Sequence, residues 1–131
     1  MAKRSDVGAW GEALAARHLR AHGYLIRARN WRCGRGELDI VAERAQTIVF
    51  VEVRTRRSDA YGAPQESISA HKRATLIATA QAYLDQHDLR DAQWQIDVIA
   101  IELDQRNALM RLDHLECAIE APSPKDSERP G

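Results

Sequence analysis

Apolar and polar positions alternate with period two in five stretches of the chain and recur at helical spacing in two others. That order predicts an α/β fold. From Gly36 to Glu43, Leu38, Ile40 and Ala42 take one face of a predicted strand while Glu37, Asp39 and Val41 take the other. From Thr47 to Thr55, Val49, Val51 and Val53 alternate with Ile48, Phe50, Glu52 and Arg54, the pattern of a strand covered on both sides. Either a two-residue turn at Ala45 and Gln46, poor hairpin chemistry though Ala-Gln is, or a four-residue loop from Arg44 to Thr47 joins these runs in one register, whereas a three-residue loop needs a bulge to bring the same face around. With Arg44 paired to Thr47, Asp39 falls opposite Glu52 and Glu37 opposite Arg54.

The remaining elements follow from the same patterns. Ser5 or Asp6 is positioned to cap a helix running to about His22, with Val7, Gly11, Leu14, Ala15 and His18 along one stripe, Glu12 at its border and Gly23 as the stop. Tyr24 to Trp31 reads as a strand entering an arginine-rich loop, Arg32 to Arg35. Arg56 to Gln65 lacks periodicity and reads as a loop. Ser69 then caps a helix to about His87, whose apolar stripe is Leu76, Ile77, Ala80, Tyr83 and Leu84, with Lys72 and Thr79 off it. Trp94 to Leu103 is a strand, Asn107 lies in a turn, and Leu109 to Leu115 is a last strand. The expected order is αβββαββ, a mixed central sheet flanked by two helices. Residues 1–120 form this one domain, and the Pro-, Ser- and charge-rich tail 121–131 is expected to be disordered.

Composition narrows the class. At 131 residues and 44% hydrophobic content the chain builds one core, with no run long enough to span a membrane and no signal-peptide apolar segment. A cytoplasmic protein is expected. Cys33 and Cys117 form no CxxC pair and read as reduced thiols, and the five histidines read as surface or cap residues. Trp10, Trp31 and Trp94 are assigned to the core, with stacking on a base the alternative for Trp31 beside its arginines.

Charge changes the picture more. The net charge is zero, yet residues 1–73 carry 14 Lys or Arg against 8 Asp or Glu, and the remainder 5 against 11. Arg32, Arg35, Arg56, Arg57, Lys72 and Arg73 surround the acidic hairpin in sequence, as a surface following phosphates around a metal would. Such runs also occur as solvated faces. Asp39 with Glu52 is the minimal protein contribution to a Mg²⁺ or Mn²⁺ site; the bland alternative is solvated acids with an ordinary Glu37–Arg54 ion pair. Asp97 stands among apolar neighbours, either paired with a site arginine or solvated at a strand end.

Gly11-Glu12, GELD at Gly36 to Asp39 and FVEVR at Phe50 to Arg54, with NWRC, YGAPQES and QIDVIAI, resemble the bacterial YraN-like family. The resemblance runs from about Gly8 to Ala118. That family is similar to archaeal Holliday junction resolvases and restriction endonucleases, which implies a PD-(D/E)XK nuclease core. Carried over, it makes Asp39 and Glu52 metal ligands, Glu12 a supporting acid and Gln65 a further supporting residue. Glu37 is assigned to ordering a water. Arg54 occupies the place of the motif lysine, and arginine, being permanently protonated, can orient or stabilise charge but not accept a proton. Lys72 is the candidate replacement amine. The implied function is Mg²⁺- or Mn²⁺-dependent cleavage of structured or branched DNA, with a homodimer by analogy. A nuclease-fold binding module without chemistry, and a protein whose acidic hairpin is only surface, are the alternatives.

Overall fold

The computed structural model describes residues 4–58 and 68–120, excepting the side chains of 4–6. Gln65, most of the expected loop after Arg57, and the tail lie outside the described residues. The order is α1 (Arg4–Ala21), β1 (Leu25–Cys33), β2 (Gly36–Arg44), β3 (Thr47–Arg57), α2 (Ala70–Gln86), β4 (Gln93–Leu103) and β5 (Leu109–Ile119). The five strands form one sheet in the order β1-β2-β3-β4-β5, antiparallel except for the parallel pair β3–β4. A parallel pair needs a crossover connection, and α2 supplies it. The αβββαββ order and mixed sheet are those expected, and they are compatible with a nuclease-like core.

Each helix covers one face. On the α1 side, Ala15, Ala16 and Leu19 pack against Ile40, Val49, Val51, Ile99 and Ile101. On the α2 side, Leu76, Ala80, Tyr83 and Leu84 pack against Phe50, Ile96 and Val98. The central strands β3 and β4 are therefore buried on both faces. Removing a Leu, Ile or Phe side chain of this kind from water contributes roughly 1.5–3 kcal/mol.

Ala45 and Gln46 do form the two-residue β2–β3 turn, with φ of 50° and 65°, and Arg44 pairs with Thr47. Ser69 caps α2, its hydroxyl accepting the Lys72 N–H at 3.1 Å.

Several expectations are corrected. Helix α1 has already begun at Arg4, so neither Ser5 nor Asp6 is its cap. Arg32 belongs to β1, which pairs with β2 through Cys33–Gly36, so the arginine-rich loop shrinks to Gly34 and Arg35. Thr79 is fully buried rather than off the stripe: its hydroxyl donates to the Thr75 carbonyl at 2.7 Å, satisfying the polar atom. Trp10 is 45% exposed, not core.

The strict alternation in β2 also fails, for a local reason. Asn30, in β1 beside Asp39, adopts φ 52°, left-handed backbone that asparagine tolerates better than most residues. Across this point the faces switch. Ala28 and Trp31, three residues apart, both pack on the α2-side core, and so do Val41 and Leu38 opposite them. Leu38 thus parts company with Ile40 and Ala42, which face α1. Asp39 lies at the switch.

Candidate metal centre

The β2–β3 ladder ends at the pair Ile40–Val51. One residue further, the Asp39 side chain substitutes for a ladder carbonyl, its Oδ2 accepting the Val53 N–H at 2.8 Å. Glu52, 5% exposed, lies beside Asp39, near enough that its charge and side chain act on the Asp39 carboxyl. The expected juxtaposition of Asp39 and Glu52 is present. Burial, and next the neighbouring charge of Glu52, push the Asp39 carboxyl up to about 7, while the Val53 N–H and Lys72 draw it back.

Two cations already face Glu52. Its Oε2 lies 3.5 Å from Arg54 Nη1 and 3.8 Å from Lys72 Nζ. Arg54 arrives by strand periodicity, two residues along the same face. Lys72 arrives from the first turn of α2, where the Ser69 cap starts the helix.

Close helix approach frames the pair from both sides. A Cβ on Gly11 of α1 would lie 1.9 Å from Thr55 Oγ1 of β3, and one on Gly36 would lie 2.8 Å from Thr79 Oγ1 of α2. Only glycine permits these contacts. The Gly11 approach brings Glu12 beside Asn30 and Asp39. Burial, then Asp39, raises the Glu12 carboxyl, while a hydrogen bond from Asn30 and the charge of Arg29 lower it.

Other predicted residues are placed differently. Glu37 does not meet Arg54; β2 follows β1 beyond the face switch, and Glu37 pairs with Arg32 at 3.0 Å. Arg35 lines a separate cleft of about 490 Å³ with Gln81, Asp85, Arg90 and Trp94. Arg57 Nη1 donates to the Gln105 carbonyl at 3.1 Å. Arg56 is half-buried on β3, and Arg73 is exposed on α2. Trp31 is half-buried, edge-on to Tyr83 at 5.2 Å. Among the residues expected to follow phosphates, Lys72 lies 3.8 Å from Glu52.

Asp97 is neither solvated nor paired with an arginine. It is fully buried and accepts from Gln95 Nε2 and the Cys117 N–H at 2.9 Å each and from His114 Nε2 at 2.7 Å. His114 Nδ1 in turn lies 3.3 Å from His18 Nε2. His18 and His114 are therefore structural partners rather than surface or cap residues. Sequence reading missed Asn30, Thr55 and this chain; an asparagine inside a strand and an aspartate amid isoleucines are the signals that mark two of them.

Asp39 and Glu52 fit a hard divalent cation. Mg²⁺ and Mn²⁺ are held by one or two carboxylates with water and substrate oxygens completing the shell. Among the described residues no three His, Cys, Asp or Glu side chains form a closed metal cage. Also among them, no helix is long and apolar enough to cross a membrane.

The model of the uncharacterised protein family UPF0102 matches residues 11–101, from Gly11 through the whole of the acidic hairpin to Ile101. A UPF0102 protein of Roseiflexus castenholzii is 47% identical over 119 residues, covering 90% of this chain and 96% of its own. One from Beutenbergia cavernae is 44% identical, covering 88% and 97%. A third, from Myxococcus xanthus, is 41% identical, covering 92% and 94%. The residues that frame the acidic pair all fall within the matched segment, and the chain belongs to the UPF0102 family, the YraN-like group.

Proposed function

We propose that this protein is a Mg²⁺- or Mn²⁺-dependent endonuclease acting on structured DNA. The observation that carries the reading is the contact of Asp39 with Glu52 at the end of the β2–β3 ladder, with Arg54 and Lys72 facing Glu52. Asp39 and Glu52 would hold the cation, with the Val53 N–H orienting Asp39. When bound, the cation supplies Lewis-acid polarisation of the phosphoryl oxygen and acidification of water.

The chain's own cations divide the remaining work. Arg54 keeps its charge and offsets the negative charge that grows on phosphate during displacement. Lys72 stands near the same carboxylate with the amine that Arg54 lacks, and serves to orient the attacking water. Glu12, held by Asn30, supports Asp39 from the α1 side. Arg54 in the lysine position favours a second reading, a binding module with little or no chemistry.

A cleavage panel of branched, single-stranded and duplex DNA, and RNA, with each metal separates the readings. The endonuclease reading expects nicking of branched DNA, abolished in Glu52→Gln with binding retained. Lys72→Met should lower the rate by about 10²-fold or more, the scale of losing one positioned hydrogen-bond donor. Binding of branched DNA without nicking by the wild type would establish the module instead. Neither binding nor a Mn²⁺-dependent rise in melting temperature would remove both.

A further inference from the structure

The line of polar groups from Asp97 to His18 has a geometry that a hydrogen bond alone does not require. His114 Nδ1 and His18 Nε2 lie 3.3 Å apart, at the long end for a hydrogen bond. Two imidazole nitrogens, each about 2.0–2.1 Å from a tetrahedral Zn²⁺, stand about 3.3–3.4 Å from one another. The two rings already hold that spacing, inclined at 73° with their centroids 5.3 Å apart.

The opposite edge of His114 is fixed in the manner of a metal ligand. Its Nε2 lies 2.7 Å from Oδ2 of Asp97, which is fully buried. In the neutral ring an N–H on Nε2 leaves the lone pair on Nδ1, the atom that faces His18. A carboxylate placed behind a histidine in this way orients the ring and raises the basicity of the ligating nitrogen. Burial, then the adjoining imidazoles, lower the His18 pKa, which favours the neutral ring that a metal requires.

His22 follows one turn later. Its N–H donates to the His18 carbonyl at 3.2 Å, so the two histidines keep helical i, i+4 spacing at the end of α1, the spacing at which a helix presents two imidazoles to one zinc ion. Their ring centroids are 4.3 Å apart. His22 is exposed while His18 and His114 are half-buried, so the approach open to an ion is from the His22 side. Charge suits a cation here. A helix C-terminus favours positive charge, Asp97 lies behind His114, and Arg44, which donates to the His22 carbonyl at 3.5 Å, is offset by Glu116 at 3.7 Å. As the rings stand, no three side chains among the described residues enclose an ion, so His22 has to turn to join the other two.

We propose that His18 Nε2, His114 Nδ1 and, after side-chain rotation, His22 bind one Zn²⁺, with water completing a tetrahedral shell, and that the ion ties the end of α1 to the edge strand β5. The site uses none of the residues of the acidic hairpin and differs from it in kind: imidazole suits Zn²⁺, whereas a carboxylate pair suits Mg²⁺ or Mn²⁺.

The test titrates the full chain, stripped with EDTA and dialysed, with Co²⁺ at pH 7.5 in the presence of millimolar Mg²⁺, following the visible absorption that separates tetrahedral Co²⁺ from the hydrated ion. One Co²⁺ per chain is expected, displaced by Zn²⁺, which the same ligands bind more tightly. His18→Gln, His22→Ala and His114→Ala should each weaken binding at least about tenfold, the lower end of the loss caused by removing merely an outer-shell partner of a metal ligand. Zn²⁺ should raise the melting temperature of the wild type and not of these variants. Glu52→Gln should bind Co²⁺ as the wild type does. His18→Gln and His22→Ala leave the bonds of Asp97 untouched, so they decide the matter if circular dichroism shows His114→Ala unfolded. Undiminished affinity in either of them, or no saturable binding by the wild type, overturns the proposal. A thiolate-to-Co²⁺ charge-transfer band, abolished in the double variant Cys33→Ser, Cys117→Ser, also overturns it by placing the ion on sulfur, and loss of binding in Glu52→Gln overturns it by placing the ion on the hairpin.

Discussion

Asp39 is the residue on which most of the chemistry turns. Its carboxyl is raised in the folded state from an ordinary 3.8 to about 7, first by burial and then by Glu52. Between those values the folded protein holds a proton that the unfolded chain releases, so stability falls as pH rises through this window and the loss is complete above it. Asp39→Asn keeps an acceptor for the Val53 N–H but removes the charge. In metal-free buffer this variant should gain melting temperature over the wild type at pH 8, and gain less or nothing at pH 5. Mn²⁺ at about 100 times its dissociation constant should stabilise the wild type at pH 8 by about 2.7 kcal/mol and leave Asp39→Asn unmoved. A variant that tracks the wild type across pH and still responds to Mn²⁺ would show that the shared charge has been misplaced. Period-two reading made the Asp39–Glu52 contact legible because the β2–β3 register is tied by a two-residue turn. It assigned Glu37 to Arg54 because alternation presumes an unbroken pleat, and the left-handed Asn30 in the neighbouring strand breaks it.

At the level of elements, the hairpin carrying the pair is built on an unfavourable turn. Both central residues have positive φ, the requirement of the two-residue turn that matches strand twist, yet neither is glycine or asparagine. Each ordinary side chain held there costs roughly 1–2 kcal/mol. The flanking strands enforce the turn: Arg44 pairs with Thr47 and Glu43 with Ile48, and the apolar residues beyond them are buried. Replacing Ala45-Gln46 by Asn-Gly should therefore raise stability by about 1 kcal/mol, read as a higher urea midpoint at unchanged slope. An unchanged or lower midpoint would mean that the turn is held by something other than strand pairing. Helix positions show the complementary limit of sequence reading. The α2 stripe is legible from spacing alone, but the burial of Thr79 follows from Gly36 on a strand distant in sequence. The same holds for Gly11 and Thr55. Their close approach belongs to the packing of two elements, which neither element's periodicity contains.

Across the whole molecule, the buried Asp97 joins three elements that the sequence separates. With three donors aimed at it, Asp97 acts as acceptor, so His114 presents an N–H on Nε2, while its Nδ1 faces His18 Nε2. This hydrogen-bonded line runs from the middle of β4 through β5 to α1. His18 packs against His22 as well, with Tyr24, Arg44 and Glu116 around His114 and its strand. Burial, then the charges of His22 and His114, lower the His18 pKa below its ordinary 6.5. The unfolded chain therefore takes up a proton before the folded one does, and stability contributed by neutral His18 is full above pH 6.5 and lost as pH falls below it. That slope is opposite in sign to the one from Asp39, so the two groups pull the pH dependence of the metal-free wild type in opposite directions. His18→Gln retains an N–H to donate to His114 without the titration. Its stability relative to the wild type should be higher at pH 5 than at pH 7.5, the reverse of Asp39→Asn, and urea midpoints at the two pH values measure both. If the two variants instead shift in parallel, the two groups do not titrate in the separate environments that the structure gives them.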